Sequence, residues 1–240
     1  MSSRSSRPLG SPCARRSWKR TAGWPGTDGS PVRRISLDDP SWVEEALLHL
    51  KSGRVLALPT ETVYGLAGAL DTPAAVSRIV ALKGRPEDKA LPLQMASAEA
   101  ARGFGFEFSP PARKLADRFW PGPLTLVLPR PVGLPEWYAP GVPTAALRVP
   151  GHGAARTLLE KWGFPLAVTS ANRSGCREAV SAREVEEIFA GTPDLLVVDG
   201  GDAPGGSAST VVDATGPSPV VLRTGPVSRQ RIEEVWHGRG

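Results

Sequence analysis

Apolar runs alternate with amphipathic segments from about Ile35 to the end of the chain. Short apolar runs that are bounded by glycine, proline or aspartate predict buried strands. Apolar residues at helical spacing, preceded by proline or a capping residue, predict helices. The predicted strands are 55–59, 91–95, 124–129, 145–150, 165–170, 195–199, 209–213 and 219–223, and the predicted helices are 41–52, 73–82, 110–119, 155–162, 183–189 and 229–236.

This alternation predicts a single α/β domain in which helices flank a twisted sheet. The last three predicted strands follow one another with short turns and no predicted helix between the final two. Such a succession favours antiparallel pairing. We therefore expect a mixed parallel and antiparallel sheet rather than a purely parallel one.

Residues 1–32 differ from the rest of the chain in composition and in hydrophobic pattern. They are rich in serine, arginine, proline and glycine and have no hydrophobic period. The segment lacks the apolar stretch of a secretory signal, and its prolines and glycines interrupt the amphipathic helix of an organelle transit peptide, which its Arg/Ser-rich start otherwise resembles. We predict a disordered basic N-terminal extension at 1–32, a folded domain at 33–240 and a cytoplasmic protein.

The net charge of the chain belongs to this extension. Six basic residues and one acidic residue give 1–32 a net charge of +5, which is the net charge of all 240 residues. The domain is therefore neutral, which argues against nucleic-acid binding as its main role. No run of about 18 apolar residues occurs, so we expect no membrane-spanning helix.

Several common catalytic motifs are absent from the sequence. It contains no Walker-type phosphate loop, no GxGxxG after a strand and no GxSxG elbow. His49, His152 and His237 have no partners at ligand spacing, so no metal site built from histidines is expected. Cys13 and Cys176 are expected to be free thiols.

Four polar clusters adjoin the predicted elements at 59–68, 83–93, 169–175 and 205–213. Three of them adjoin predicted strands, and the second follows a helix. Open α/β sheets place their ligand sites at strand ends. Each cluster alone is compatible with an ordinary loop, but together they predict one binding site.

Seven motifs occur in one order along the chain: PTETVYGL, KGRP, WPGPLT, ALRVP, TSANRSG, STVVD and LRTG. This set resembles the YrdC/Sua5 family of threonylcarbamoyl-AMP synthases over about residues 35–237, in its short, single-domain form. The resemblance implies a YrdC-like fold with a large open cleft. It also implies that L-threonine, bicarbonate and ATP, carried with Mg²⁺, give threonylcarbamoyl-AMP and pyrophosphate. The product would pass to the tRNA threonylcarbamoyl-transferase machinery for t6A formation.

The resemblance also implies roles for individual residues. Lys83 and Arg85 would be the catalytic basic pair that faces the ATP phosphates. The implied ATP-binding residues are Lys83, Arg85, Lys89, Thr144, Ser170, Asn172 and Arg223. The implied threonine-binding residues are Thr62, Gln94, Arg148 and Ser209. An arginine such as Arg148 suits a carboxylate through a bidentate pair.

Three positions depart from a common pattern of this family. Lys89 and Ala90 replace an Asn-Pro pair, Gln94 replaces a histidine, and Glu178 replaces a small residue. Lys89 is still able to meet a phosphate, and Gln94 to form a hydrogen bond. An acid at Glu178 opposes ATP, so we expect its loop to be displaced.

Two other functions are compatible with the motifs. A carbamoyl-transfer enzyme of the hydrogenase-maturation type contains a similar domain, but it normally carries CxxC zinc motifs that this chain lacks. A module that binds tRNA or double-stranded RNA is the other alternative, which the neutral domain disfavours.

The position of the charge leads to a test. Removal of residues 1–32 should leave thermal stability and adenylate synthesis intact, because none of the seven motifs falls within them. Salt-sensitive RNA affinity should fall sharply, because cation–phosphate contacts generate it. Both are measured for the full chain and for a chain that starts at Arg33. A shortened chain that binds tRNA tightly but makes no adenylate would contradict this division.

Overall fold

The computed structural model describes residues 32–85 and 90–239. In these residues, one ten-stranded sheet has the order β1-β8-β2-β3-β7-β4-β6-β5-β9-β10. Its strands are β1 (Arg33–Ser36), β2 (Val55–Leu58), β3 (Gly65–Ala69), β4 (Leu93–Gln94), β5 (Leu124–Pro129), β6 (Thr144–Arg148), β7 (Leu166–Ser170), β8 (Leu195–Asp199), β9 (Thr210–Asp213) and β10 (Val220–Arg223). The helices are α1 (Trp42–Lys51), α2 (Pro73–Lys83), α3 (Ala98–Gly103), α4 (Pro110–Phe119), α5 (Gly153–Trp162), α6 (Ala182–Ile188) and α7 (Arg229–Trp236).

The predicted α/β class with a mixed sheet is confirmed. β8 lies parallel to β1 and β2, while β3 is antiparallel to β2 and β7. The expectation of one antiparallel region from the last three strands is right only for β9 and β10. β8 instead lies near the opposite edge of the sheet, where it pairs in parallel with β1 on one side and β2 on the other.

The sequence pattern missed β1, β3 and α3. β1 is short and largely exposed, so it carries little hydrophobic signal. β3 has the sequence GLAGA, and glycine is a poor strand former. A Cβ atom at Gly68 would lie 3.1 Å from both Ala75 Cβ and Ile79 Cδ1, so this strand needs glycine to let α2 approach.

Two helical layers of unequal extent cover the sheet. One apolar core joins one face to α2, α3, α4, α6 and α7 along most of its width. The second core joins the opposite face to α1 and α5, but only over β1, β2, β3, β7 and β8. On that second face, Val127, Ala146 and Val211 of the remaining strands are only half-buried. The missing part of the second layer leaves the expected open cleft.

The structure also bears on membrane-spanning helices and on the state of the cysteines. Across the part of the chain that the structure describes, no helix has the length and apolar character that a membrane crossing requires. Cys176 is disulfide-bonded, so the expectation of a free thiol is wrong for this residue. Cys13 lies outside the described residues.

Candidate active site

A cavity of about 180 Å³ lies on the uncovered half of the sheet. Seven of the implied site residues line it: Thr62, Arg85, Gln94, Arg148, Ser170, Ser209 and Arg223. Lys83 and Asn172 lie next to it and are hydrogen-bonded to each other and to the Ser170 region. Thr144 is at the far end of β6, on the face that it shares with Arg148 by strand alternation. Lys89 lies outside the described residues.

The PTET motif forms a hydrogen-bonded loop after β2. The Thr60 hydroxyl donates to Val63 O at 2.6 Å, so the hydroxyl contact of 2.8 Å between Thr60 and Thr62 must use the Thr62 proton. Thr62 Oγ1 then accepts from Nη1 and Nη2 of Arg148, at 3.1 Å each. The hydroxyl that was expected to contact threonine therefore holds an arginine in this structure.

Arg148, which lines the cavity, donates hydrogen bonds to three residues. Besides Thr62, its Nε donates to Gly122 O at 3.0 Å, and its Nη2 lies 2.6 Å from Glu61 Oε1. The end of the guanidinium fork is thus occupied by Thr62. A bidentate pair with a substrate carboxylate would require Thr62 to be displaced.

Glu61 is a site residue that the motif comparison did not single out. Its Oε1 pairs with Arg148, and its Oε2 accepts a hydrogen bond from the backbone N–H of His152 at 3.3 Å. Burial favours the neutral carboxyl group, but the charge and hydrogen bond of Arg148, together with backbone hydrogen bonds, outweigh it and lower the pKa of Glu61. The only signal in the sequence was its place inside PTET.

The KGRP motif is the end of a helix followed by a turn. α2 ends at Lys83, and Gly84 adopts φ 60°, the left-handed conformation that ends many helices. Lys83 is only 5% exposed. Its Nζ donates to Ser170 O at 2.6 Å, to Asn172 O at 3.2 Å and to Asn172 Oδ1 at 2.6 Å. All three ammonium protons have acceptors in the SAN loop, so in this structure Lys83 organises that loop.

The SAN loop is closed by further hydrogen bonds. The Ser170 hydroxyl donates to Asn172 Oδ1 at 2.8 Å, and Asn172 Nδ2 donates to Cys176 O at 2.6 Å. The backbone N–H of Ala171 donates to Tyr64 O at 2.7 Å, which joins this loop to the PTET loop. The two loops therefore form one wall of the cavity.

The charge of Lys83 depends on its neighbours. Burial and the charges of Arg85 and Arg223 lower the pKa of Lys83 to about 8, while Glu178 acts in the opposite direction. Burial lowers the pKa of Arg223, and the charge of Glu178 opposes that shift. Its loop therefore remains within electrostatic reach of these cations, in contrast to the expected displacement.

The opposite wall comes from STVVD and LRTG. Arg223 donates through Nε to Ser209 O at 2.9 Å and through Nη2 to Ser209 Oγ at 3.1 Å. Ser209 Oγ also lies 2.8 Å from Thr125 Oγ1, a second site residue that the sequence analysis missed. A Cβ atom at Gly225 would lie 2.5 Å from Ala208 O, so only glycine allows the LRTG turn to lie against this strand.

Gln94 stands out because its polar end lacks a partner. It is 5% exposed and lines the cavity beside Arg148, its register neighbour on the adjacent strand. Within the described chain, Oε1 is buried and accepts no hydrogen bond. A buried acceptor without a donor is costly, so this atom is available to a ligand.

A family model designated Sua5_yciO_yrdC and described as telomere recombination matches residues 49–225, which include all four polar clusters. The chain belongs to this family. The threonylcarbamoyl-AMP synthase of Rattus norvegicus is 34% identical and is matched over 82% of this chain and 73% of its own length.

Other relatives in this family are longer. The threonylcarbamoyl-AMP synthases of Pyrococcus abyssi and Bacillus subtilis are 44% and 37% identical, over 78% and 84% of this chain. The match covers 54% and 58% of those two proteins, so this chain spans little more than half of their length.

Solved structures show the same fold. P. abyssi Sua5 complexed with L-threonine aligns with a TM-score of 0.78 at 40% identity, over 85% of this chain and 60% of that one. Escherichia coli YciO aligns with a TM-score of 0.71 at 24% identity, over 85% and 99% of the two chains. These likenesses confirm the YrdC-like architecture.

The pKa of Lys83 leads to a prediction. Affinity for ATP should fall as the pH rises through about 8, because the ammonium then loses its charge and one of its three hydrogen bonds. Unfolded lysine keeps its proton to about pH 10.5, so between these values Lys83 adds to the free energy of unfolding as the pH rises. Loss of affinity over this range is therefore not caused by Lys83 destabilising the fold.

Calorimetric titration with ATP across this pH range is the measurement. Glu178→Gln should move the fall in affinity to lower pH, because the Glu178 charge raises the pKa of Lys83. Glu187→Gln is the matched control, since Glu187 is exposed on α6 and pairs with Arg183. An ATP affinity that stays constant across this range would contradict the assignment.

Proposed function

We propose that the protein is a nucleotidyltransferase that makes threonylcarbamoyl-AMP and pyrophosphate from L-threonine, bicarbonate and ATP. The observation that carries this proposal is the convergence of its polar clusters on one cavity. Hydroxyl groups and the cations Arg85, Arg148 and Arg223 line the same space. The names of the relatives and the threonine complex of P. abyssi Sua5 support the proposal.

The chemistry begins with a nucleophile that needs no strong base for its attack. The threonine amine joins bicarbonate to form a carbamate, with loss of water. A carbamate oxygen then attacks the α-phosphorus of ATP, and the bond from that phosphorus to the bridging oxygen breaks to release pyrophosphate. Because the carbamate is already an anion, the obstacle is charge repulsion and alignment.

The cations of the cavity address this obstacle. Arg85 and Arg223 line it, and the charge of Lys83 acts on the same region from behind the SAN loop. Fixed positive charge at a partly dehydrated site stabilises the transferring phosphate and the departing pyrophosphate. Arg223 is oriented by its two bonds to Ser209, so it needs little reorganisation during the reaction.

The remaining partners follow from this reaction. ATP would enter as its Mg²⁺ complex, and the metal ion would offset negative charge on the phosphates. We assign Lys89, Thr144, Ser170 and Asn172 to the nucleotide, and Thr62 and Ser209 to the threonine side. The adenylate is labile, so a tRNA threonylcarbamoyl-transferase in the cytoplasm would take it up for t6A formation.

The alternatives receive less support. HypF structures align at 19% identity, which shows a shared fold and nothing of their chemistry for this chain. An RNA-binding module would need a basic face, whereas the excess charge lies in 1–32.

The first test is the dependence of pyrophosphate release on each substrate. Release from ATP should require both L-threonine and bicarbonate, because the nucleophile is formed from both. Mass spectrometry of the products should show threonylcarbamoyl-AMP. Pyrophosphate that forms equally well without threonine would exclude this reaction and favour a different adenylation.

The second test uses Gln94. Gln94→Met removes an unpaired buried acceptor at nearly constant volume, so thermal stability should stay the same or rise slightly. Threonine affinity should fall about tenfold or more, because the ammonium or hydroxyl group of the substrate loses its acceptor. Calorimetry with threonine and with 2-aminobutyrate, which lacks the hydroxyl group, shows which of these two groups donates to Gln94.

If the hydroxyl is the donor, the variant should lose its preference for threonine over 2-aminobutyrate. Gln230→Met on α7 is the matched control, since Gln230 is exposed and pairs with Glu234. A variant that keeps full threonine affinity would remove Gln94 from the site.

A further inference from the structure

Glu61 neutralises Arg148, one of the arginines that line the cavity. Arg148 and Glu61 form the pair at 2.6 Å, and the side chain of Arg148 is only 7% exposed. Within the described chain, no ion pair joins Glu178 to Lys83 or Arg223, although its charge acts on both. The charge of Arg148 is therefore paired at contact distance, whereas Glu178 acts on Lys83 and Arg223 without contacting them.

Most of the N–H groups of Arg148 are also already hydrogen-bonded. A guanidinium has five N–H groups. Four of those in Arg148 are used by Gly122, Glu61 and Thr62, so among its contacts in the described residues one Nη1 proton is left. The Arg148 guanidinium can therefore donate a single hydrogen bond to a ligand, and its positive charge is already balanced by Glu61.

A cavity that binds ATP and threonine must hold each at its own position. ATP carries several negative charges, whereas threonine is a zwitterion with no net charge. An unpaired Arg148 would add one positive charge and favour a polyphosphate over a zwitterion at its position. A carboxylate beside it has the opposite effect, because like charges in contact repel strongly.

We propose that Glu61 is a specificity-determining residue that excludes phosphate groups from the Arg148 end of the cavity. That end is thereby reserved for the zwitterionic amino acid. Glu61 does not line the cavity itself and acts through Arg148 and through the turn at His152. The inference rests on the proposed function, since it assumes that Arg148 lies on the threonine side.

The test uses inorganic phosphate as the probe. In the unsubstituted protein, phosphate should inhibit pyrophosphate release in competition with ATP and not with threonine. In Glu61→Gln, which keeps the shape of the side chain, phosphate should also compete with threonine. Its inhibition constant against threonine should be lower by about tenfold or more, because the local net charge rises by one.

Three further variants and measurements make the test specific. Glu61→Asp keeps the charge and should restore exclusion of phosphate from the threonine site. Glu160→Gln, at an exposed helical ion pair with Arg156, is the matched control and should behave as the unsubstituted protein. Circular dichroism establishes that each variant is folded.

Two results would overturn the inference. One is competition between phosphate and threonine in the unsubstituted protein. This result does not depend on whether any variant folds. The other is a folded Glu61→Gln protein that still excludes phosphate from the threonine site. Failure of the proposed function is recognised separately, as an unsubstituted protein that neither binds threonine in calorimetry nor releases pyrophosphate.

Discussion

The arrangement of the site depends on the burial of one guanidinium. A buried arginine is tolerated only when its charge is paired and its N–H groups find acceptors. Arg148 meets this requirement with groups from the PTET loop and the WPGP turn, which are far apart in the chain. The same hydrogen bonds fix where β6 ends and how closely the two loops approach it. The motifs therefore have a structural purpose in addition to any contact with substrate.

Lys83 holds the SAN loop as Arg148 holds the PTET loop. Its ammonium connects the end of α2 to the SAN loop, and that loop is bonded to Tyr64 at the base of PTET. Two cations that the family resemblance assigns to substrates are thus the centres of the hydrogen-bond network in the structure. Removal of either would alter wall geometry as well as charge. Arg85 and Arg223 line the cavity and are placed to meet an anion directly.

The sequence predicted the strands and helices whose apolar residues recur periodically. It missed features that depend on contacts between residues far apart in the chain. Strands such as Leu124–Pro129 and helices such as Pro110–Phe119 were found because their apolar residues recur with a regular period. β3 was missed because the glycines that let α2 approach it remove the usual strand signal. The resemblance carried by the ordered motifs pointed to seven residues that line the cavity. Glu61 was not singled out, because its importance arises only when Arg148 is brought beside it from elsewhere in the chain.

The incomplete second layer explains why a catalytic cleft arises at this position. α1 and α5 cover five strands, and the apolar residues below them form a separate core. Where that layer stops, outward-facing positions on β4, β6 and β9 are free to carry Gln94, Arg148 and Val211 instead of core residues. The opposite face stays fully packed, so the floor of the cleft is rigid. Charged groups on such a floor hold their positions, so the ion pair between Glu61 and Arg148 stays in place when a ligand enters the cavity.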